Sequence, residues 1–240
     1  LLALREYGTK SFGEVIAPTI ELADGMPLDE MRTAAIRSLR RFAQLWPTTQ
    51  KTYFPNGQLP RPGQIFRQPD LAATLRSMAA VEKKALATGK SREAAIDAVR
   101  DYFYRGEIAR KIDAFCKANG ALLRYEDMAA FRLKVEEPEV VQYRGYSIYK
   151  PGFWSQGPSM LETLNILEGM DLKGMGLNTP EYVHNITEAL KLAYADRDTY
   201  YGDPLFSKIP SDELLSKEYA TVRRRQIGPD ASMEFRPGSI

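Results

Sequence analysis

The sequence has almost none of the residues that most often carry reactive chemistry: one cysteine, Cys116, and one histidine, His184, in 240 residues. A single cysteine excludes an internal disulfide and a CxxC metal knuckle, and gives no reading of redox compartment. A single histidine leaves zinc one imidazole at most and confines any Ser-His-Asp arrangement to that position. Long apolar runs are missing too: no stretch approaches the ~20 consecutive apolar residues of a membrane span, and the mean hydropathy is −0.38. Neither charge sign is in excess, since 33 Lys and Arg against 31 Asp and Glu leave +2. No clustered basic stripe of the kind that follows nucleic acid is present. The densest basic run, Arg223 to Arg225, reads as a solvated helix end, where cations suit the dipole. Fixed-period repeats and low-complexity tracts are absent. The first residues lack the charged and apolar regions of a signal peptide, and Leu1 is not an initiator methionine; the expectation is a chain that starts within a longer protein.

What is there is ordinary globular composition, 44% apolar and 27% charged, in a chain long enough to bury a substantial core. Helical spacing dominates, with about seven helices expected. Leu28, Met31, Ala35, Leu39, Phe42 and Trp46 form one apolar stripe, which predicts a helix begun near Pro27 and stopped by Pro47. Residues 48 to 68, rich in Pro and Gly, read as a long connecting loop. Pro69 begins a helix carrying Leu71, Leu75, Met78, Val81 and Ala85 inward, and Gly89 ends it. Ser91 caps the next, and two helices meet near Gly106 and run to the Asn119-Gly120 stop. Leu133 to Lys150 reads as two adjacent strands turning at Arg144-Gly145, a pair that needs a larger sheet for cover. Helices return at Met160 to Leu167 and after Thr179-Pro180, where Val183, Ile186, Leu190, Ala193 and Arg197 share a face. A last helix begins at Ser211 or Ser216 and ends at Ile227, and Gly228 to Ile240 reads as a tether.

Few residues suggest chemistry. His184, near a helix start, reads as structural or surface, and Cys116, on the apolar face of Ile108 and Ile112, reads as a buried, unreactive thiol. Asp196, Arg197 and Asp198 read as an ion-pair network that fixes their helix against Gly202-Asp203-Pro204. Nothing in the spacing of Glu126-Asp127 or Glu136-Glu137 forces either pair to converge on a reaction. The most unusual segment is Pro151 to Pro158, which leaves a strand and opens a helix, where amides can face an anion. It lacks the lysine of a phosphate-binding loop and reads as a tight packing turn with aromatic cover, a ligand loop being the alternative.

Taken in order, several stretches resemble one family. They are Tyr7 to Glu14 with Ala17 to Gly25, Gly63 to Ala72 with Thr74-Leu75, Phe103 to Ala109, Tyr143 to Tyr146, Leu164 to Gly169, and His184 through Asp196-Arg197 to Gly202-Asp203-Pro204. Together they resemble the γ-glutamyltranspeptidases, or glutathione hydrolases, of the N-terminal-nucleophile hydrolases. The resemblance implies an α+β fold: a portion of a four-layer αββα sandwich, here mainly helical with a short strand pair. It makes residues 1–240 a single domain fragment, the later part of the large subunit, with 228–240 a tether toward an autocleavage site. The nucleophilic threonine, which uses its own amine as base, is then expected beyond Ile240 on the small subunit of the same precursor. No catalytic residue and no metal ligand is expected here; the chemistry needs no cofactor, and this chain alone is expected to be inactive. The implied substrates are γ-glutamyl amides such as glutathione, without nucleic acid or a membrane span in this chain, and the implied location is periplasmic or secreted.

One stretch departs from the family pattern. Where many members carry a Pro-Pro-Ser-Ser-Gly-Gly type loop, this sequence has Gly152-Phe153-Trp154-Ser155-Gln156-Gly157-Pro158. Under the resemblance Ser155 and Gln156 approach the substrate cleft, a scaffold turn being the other reading. The alternatives for the whole are a helical scaffold or binding domain without catalysis, and a related acylase acting on another amide.

Overall fold

Short polar side chains placed just ahead of apolar stripes cap six helices, at Ser11, Asp29, Ser91, Asp171, Thr179 and Ser216, each accepting from an amide of the first turn. A computed structural model describes residues 1–240, which divide into two compact units, Leu1–Leu133 and Lys134–Ile240.

The first unit contains α1 (Leu2–Tyr7), α2 (Phe12–Asp24), α3 (Glu30–Ser38), α4 (Arg40–Ala43), α5 (Pro47–Tyr53), α6 (Pro69–Ala87), α7 (Arg92–Tyr104), α8 (Glu107–Ala118) and α9 (Tyr125–Ala130). A two-residue strand β1 (Met26–Pro27) pairs antiparallel with β2 (Ile65–Phe66). Ser11 and Glu14 cap α2 reciprocally, each side chain accepting from the other's amide. Phe12, Met78 and Val99 bring α2, α6 and α7 into one core, and Leu28, Ile36, Ala43, Phe54 and Phe66 form a second. A carboxylate joins the first of these. Glu82 of α6, nearly fully buried, accepts from the Phe12 and Gly13 amides at 2.6 and 2.7 Å. It thereby satisfies two donors that α2 cannot pair internally and places negative charge at the helix's positive end.

The second unit holds the hairpin β3 (Glu139–Tyr143) and β4 (Tyr146–Lys150), then α10 (Gly157–Glu168), α11 (Leu172–Met175), α12 (Pro180–Tyr200), α13 (Ser211–Leu214) and α14 (Lys217–Arg224). Val141 lies opposite Ile148, and Arg144 and Gly145 both take positive φ, as a two-residue hairpin loop requires. The two strands pair only with each other within this chain. Thr179 caps α12 with Pro180 in its first turn, and Ser216 caps α14. Ile166 and Leu167 of α10, Ala189 and Leu192 of α12, and Ala220 of α14 bury together. Each of the larger apolar side chains contributes about 1.5–3 kcal/mol by leaving water. Lys217 ties the layers, donating to Gln142 O, to Asn165 Oδ1 at 2.6 Å, and to the Glu168 carboxylate.

Several expectations change. The helix predicted over 28–46 breaks at Leu39, where the amide bonds back to Ile36 O in a tighter turn and Ser38 Oγ donates to Ala35 O. Only Leu28, Ile36 and Ala43 of this stretch are buried apolar residues, while Met31, Phe42 and Trp46 stay exposed. Pro47 starts α5 instead of only stopping its predecessor, since its fixed φ suits a first turn. The supposed loop 48–68 thus holds most of α5 and all of β2. On α12 the buried face runs through Glu188, Ala189, Leu192, Ala193 and Asp196; Val183 is exposed. The run at Arg223 is no solvated helix end: Arg223 is 0% exposed. Residues 228 to 240 carry no helix or strand and are held by side chains of α12 and α14.

Replacing Glu82 by Ala leaves two α2 amides without an acceptor. The expected loss is about 2–4 kcal/mol in denaturant unfolding of the full-length protein, with Glu82→Gln losing less. A change below about 0.5 kcal/mol would show that water replaces the carboxylate without cost.

Candidate functional site

The loop from Pro151 to Gln156 leads from β4 into α10, and the end of α12 lies beside it. Gly157 opens α10 where a Cβ would sit 2.6 Å from Pro151 O, so the chain can turn this closely only at glycine. The Ser155 hydroxyl is spent inside the turn, donating to Gly152 O at 2.9 Å and accepting from the Gly157 amide at 3.1 Å. Trp154 is half-exposed, and its indole N–H donates to Glu136 Oε2 at 2.8 Å. Gln156 Oε1 accepts from Arg197 Nη1 at 2.8 Å, and Arg197 also pairs with Asp198 and lies over the Tyr194 ring. Ser155, Gln156, Arg197 and Asp198 therefore line one open depression of about 450 Å³. Its rim offers an amide, a guanidinium and a carboxylate, a set suited to zwitterionic or amide ligands.

Beneath the loop lies a buried cluster of charges. Phe153 packs edge-on against Tyr201, whose hydroxyl donates to Glu162 Oε2 at 3.2 Å. Glu162 of α10, Asp196 of α12 and Arg223 of α14 are each 0% exposed. Asp196 Oδ2 accepts from the Tyr219 hydroxyl at 3.0 Å and lies 2.9 Å from Arg223 Nε, an ion pair in which that N–H is not aligned for a hydrogen bond. Arg223 Nη2 donates to Leu192 O at 3.1 Å, and Nη1 to Gln226 Oε1 at 2.7 Å. Ser159 Oγ and Glu162 Oε1 have no hydrogen-bond partner. Burial, and after it the neighbouring Asp196 carboxylate, push the Glu162 carboxyl up to about 10, so it is neutral at physiological pH. Burial likewise pushes the Tyr201 and Tyr219 hydroxyls above their ordinary range, which keeps both as proton donors.

The expected ion-pair network is thus redirected. Asp196 faces α14, while Arg197 and Asp198 face the loop, because successive helix residues point about 100° apart. Asp203 accepts from the Leu205 amide in its own turn and takes no part. His184 Nε2 lies 2.7 Å from Gly228 O, and no hydroxyl or thiol is bonded to it. Cys116 is buried. Glu162 goes unmarked in the sequence, and the burial of Arg223 is hidden there by its basic run. The signal was a polar residue inside a buried helical stripe: Pro158, Leu161, Glu162, Asn165 and Ile166 on α10, and Tyr219, Ala220 and Arg223 on α14.

The sequence profile of the family described as gamma-glutamyltranspeptidase matches residues 1–239. A glutathione hydrolase proenzyme of Pseudomonas sp. strain A14 is 34% identical over 98% of this chain and 39% of its own length. An acylase ACY 1 proenzyme of Pseudomonas sp. strain V22 is 32% identical over 98% of this chain and 40% of its own. The crystal structure of Helicobacter pylori gamma-glutamyltranspeptidase superposes with a TM-score of 0.85 at 30% identity, covering 99% of this chain and 65% of that one. The chain spans about two fifths of the length of the curated relatives it matches.

The neutral Glu162 fixes the sign of a pH dependence. Between its ordinary value of 4.5 and about 10, an unfolded chain releases a proton that the fold retains, so stability falls as pH rises through that window. Glu162→Gln removes the slope. Relative to wild type, the variant should gain about 1–3 kcal/mol between pH 5 and pH 8 in urea unfolding. An equal offset at both pH values would show that Glu162 is charged in the fold.

Proposed function

The chain belongs to the γ-glutamyltranspeptidase family, and on that premise we propose that the complete protein is a γ-glutamyl hydrolase or transferase made by self-cleavage of a precursor. This chain forms the later part of the large subunit, a mainly helical portion of the N-terminal-nucleophile hydrolase fold. The observation that carries the reading is the family match along essentially the whole chain, joined to the fold likeness. The proenzyme names of the relatives, and the fraction of their length that this chain spans, support a second piece produced by scission.

In this reading the reactive threonine lies beyond Ile240. Its hydroxyl attacks the γ-amide carbonyl while its own amine takes the proton, and the tetrahedral intermediate expels the amine of the leaving half. Water or an acceptor amine then attacks the acyl-enzyme, which gives hydrolysis or transfer respectively. This chain contributes shape and charge. The loop at Ser155 and Gln156 borders the cleft, with Ser155 locking the turn and Gln156 held in place by Arg197.

A second reading keeps the nucleophile and changes the acyl group. An acylase proenzyme matches almost as well as a glutathione hydrolase proenzyme, and the loop from Gly152 to Pro158 departs from the usual family pattern. Assay of the full-length product separates the two. Two bands on a denaturing gel, together with release of p-nitroaniline from γ-glutamyl-p-nitroanilide, are expected. A processed protein without release favours the acylase reading, and a single uncut band contradicts both. Gln156→Ala should raise KM about three- to tenfold with kcat little changed, the signature of one lost binding contact. An unchanged KM would leave the loop a packing role only.

A further inference from the structure

The segment from Ser232 to Gly238 has no regular structure, and its apolar side chains point outward; Met233 and Phe235 are both exposed. Apolar burial therefore does not hold it. Two buried carboxylates of α12, Glu188 and Asp196, hold it instead. They stand eight residues apart, which places them on one face of the helix about two turns from each other.

At the first grip, the Glu188 carboxylate accepts from Lys191 Nζ and Arg236 Nη2, and more weakly from the Ser232 amide at 3.3 Å. Lys191 also donates to Ser232 O, and Arg236 Nη1 reaches Gln226 O at 2.9 Å. At the second grip both backbone groups of Gly238 are taken. Its amide donates to Asp196 Oδ1 at 2.6 Å, and its carbonyl accepts from the Tyr200 hydroxyl at 2.6 Å. Arg223, paired with the same Asp196, donates to Arg236 O at 2.6 Å. The fit at Gly238 is exclusive: a Cβ there would lie 1.9 Å from the Tyr219 hydroxyl oxygen and 2.7 Å from its ring carbon.

The arrangement exceeds what a passive linker needs. If the segment lifts away, Asp196 loses a buried amide donor and Glu188 loses a guanidinium, which leaves each carboxylate less well satisfied. We propose that Asp196, Glu188, Arg223 and Tyr200 are positioning residues for precursor self-cleavage, a clamp that holds Gly238 and aims the chain beyond Ile240 at its own scission chemistry. This rests on the reading above, in which the cut lies past Ile240. Its basis is entropic: holding the reacting segment near its attack geometry removes a search from each productive encounter.

The test uses the full-length precursor and two readouts, hydrogen exchange of the 232–238 amides and the rate of conversion to two bands. Gly238→Ala should abolish protection of the Gly238 region and slow cleavage tenfold or more, while exchange in α10 and α12 stays as in wild type. Tyr200→Phe removes one hydrogen bond without adding bulk. It should slow cleavage severalfold, and it decides the question if Gly238→Ala does not fold. Loss of protection with cleavage at the wild-type rate overturns the clamp, as does wild-type protection in both variants. A wild-type precursor that never cleaves refutes the functional reading instead, and the exchange data still report whether the segment is held.

Discussion

The second unit is organised around one buried ion pair, Asp196 of α12 with Arg223 of α14, neither exposed to solvent. Burying two charges costs several kcal/mol per ion, and attraction alone seldom repays it. Repayment here comes from the surrounding bonds. Tyr219 and the Gly238 amide complete the carboxylate, and Leu192 O, Gln226 and Arg236 O complete the guanidinium. Three helices of the unit meet at this pair. α12 carries the acid, α14 the base, and α10 brings a neutral Glu162 that a second full charge could not replace. Buried pairs of this sort are a weak source of stability; this one constrains arrangement through the directed bonds that surround it.

That constraint reaches the surface in two directions. Through Glu162 and Tyr201 it meets Phe153, and so the loop that carries Ser155 and Gln156. Through Gly238 it meets the end of the chain. Under the proposed self-cleavage, the fold has to place both the loop at Ser155 and Gln156 and the segment before the cut. A single buried charge cluster can set both with one packing solution. Polar contacts suit the task better than apolar ones, since they fix direction as well as proximity.

Legibility in the sequence followed the range of the interaction. Elements decided by neighbouring residues were visible: the caps at Ser91 and Thr179, the helix start at Pro69, the stop at Asn119-Gly120 and the turn at Arg144-Gly145. The interrupted helix at Leu39 was not visible, because the apolar stripe through Met31, Phe42 and Trp46 runs on past the break without packing on the unit's core. Charge was read least well. Arg223 looked solvated because its local run is basic, and only a partner on another helix reveals its burial. The same holds for Glu82, whose acceptor role depends on amides in α2. Family resemblance filled the gap for function, since none of the residues here announces acyl transfer by its own chemistry.

The central claim is that this chain supplies the shell and another piece supplies the reactive hydroxyl. Acid quenching of the full-length protein during turnover of a γ-glutamyl donor, followed by peptide mass mapping, tests it most directly. The account predicts the acyl group on a threonine at the start of the second piece, with residues 1–240 unmodified. An acyl group mapped to any residue between Leu1 and Ile240 would contradict it.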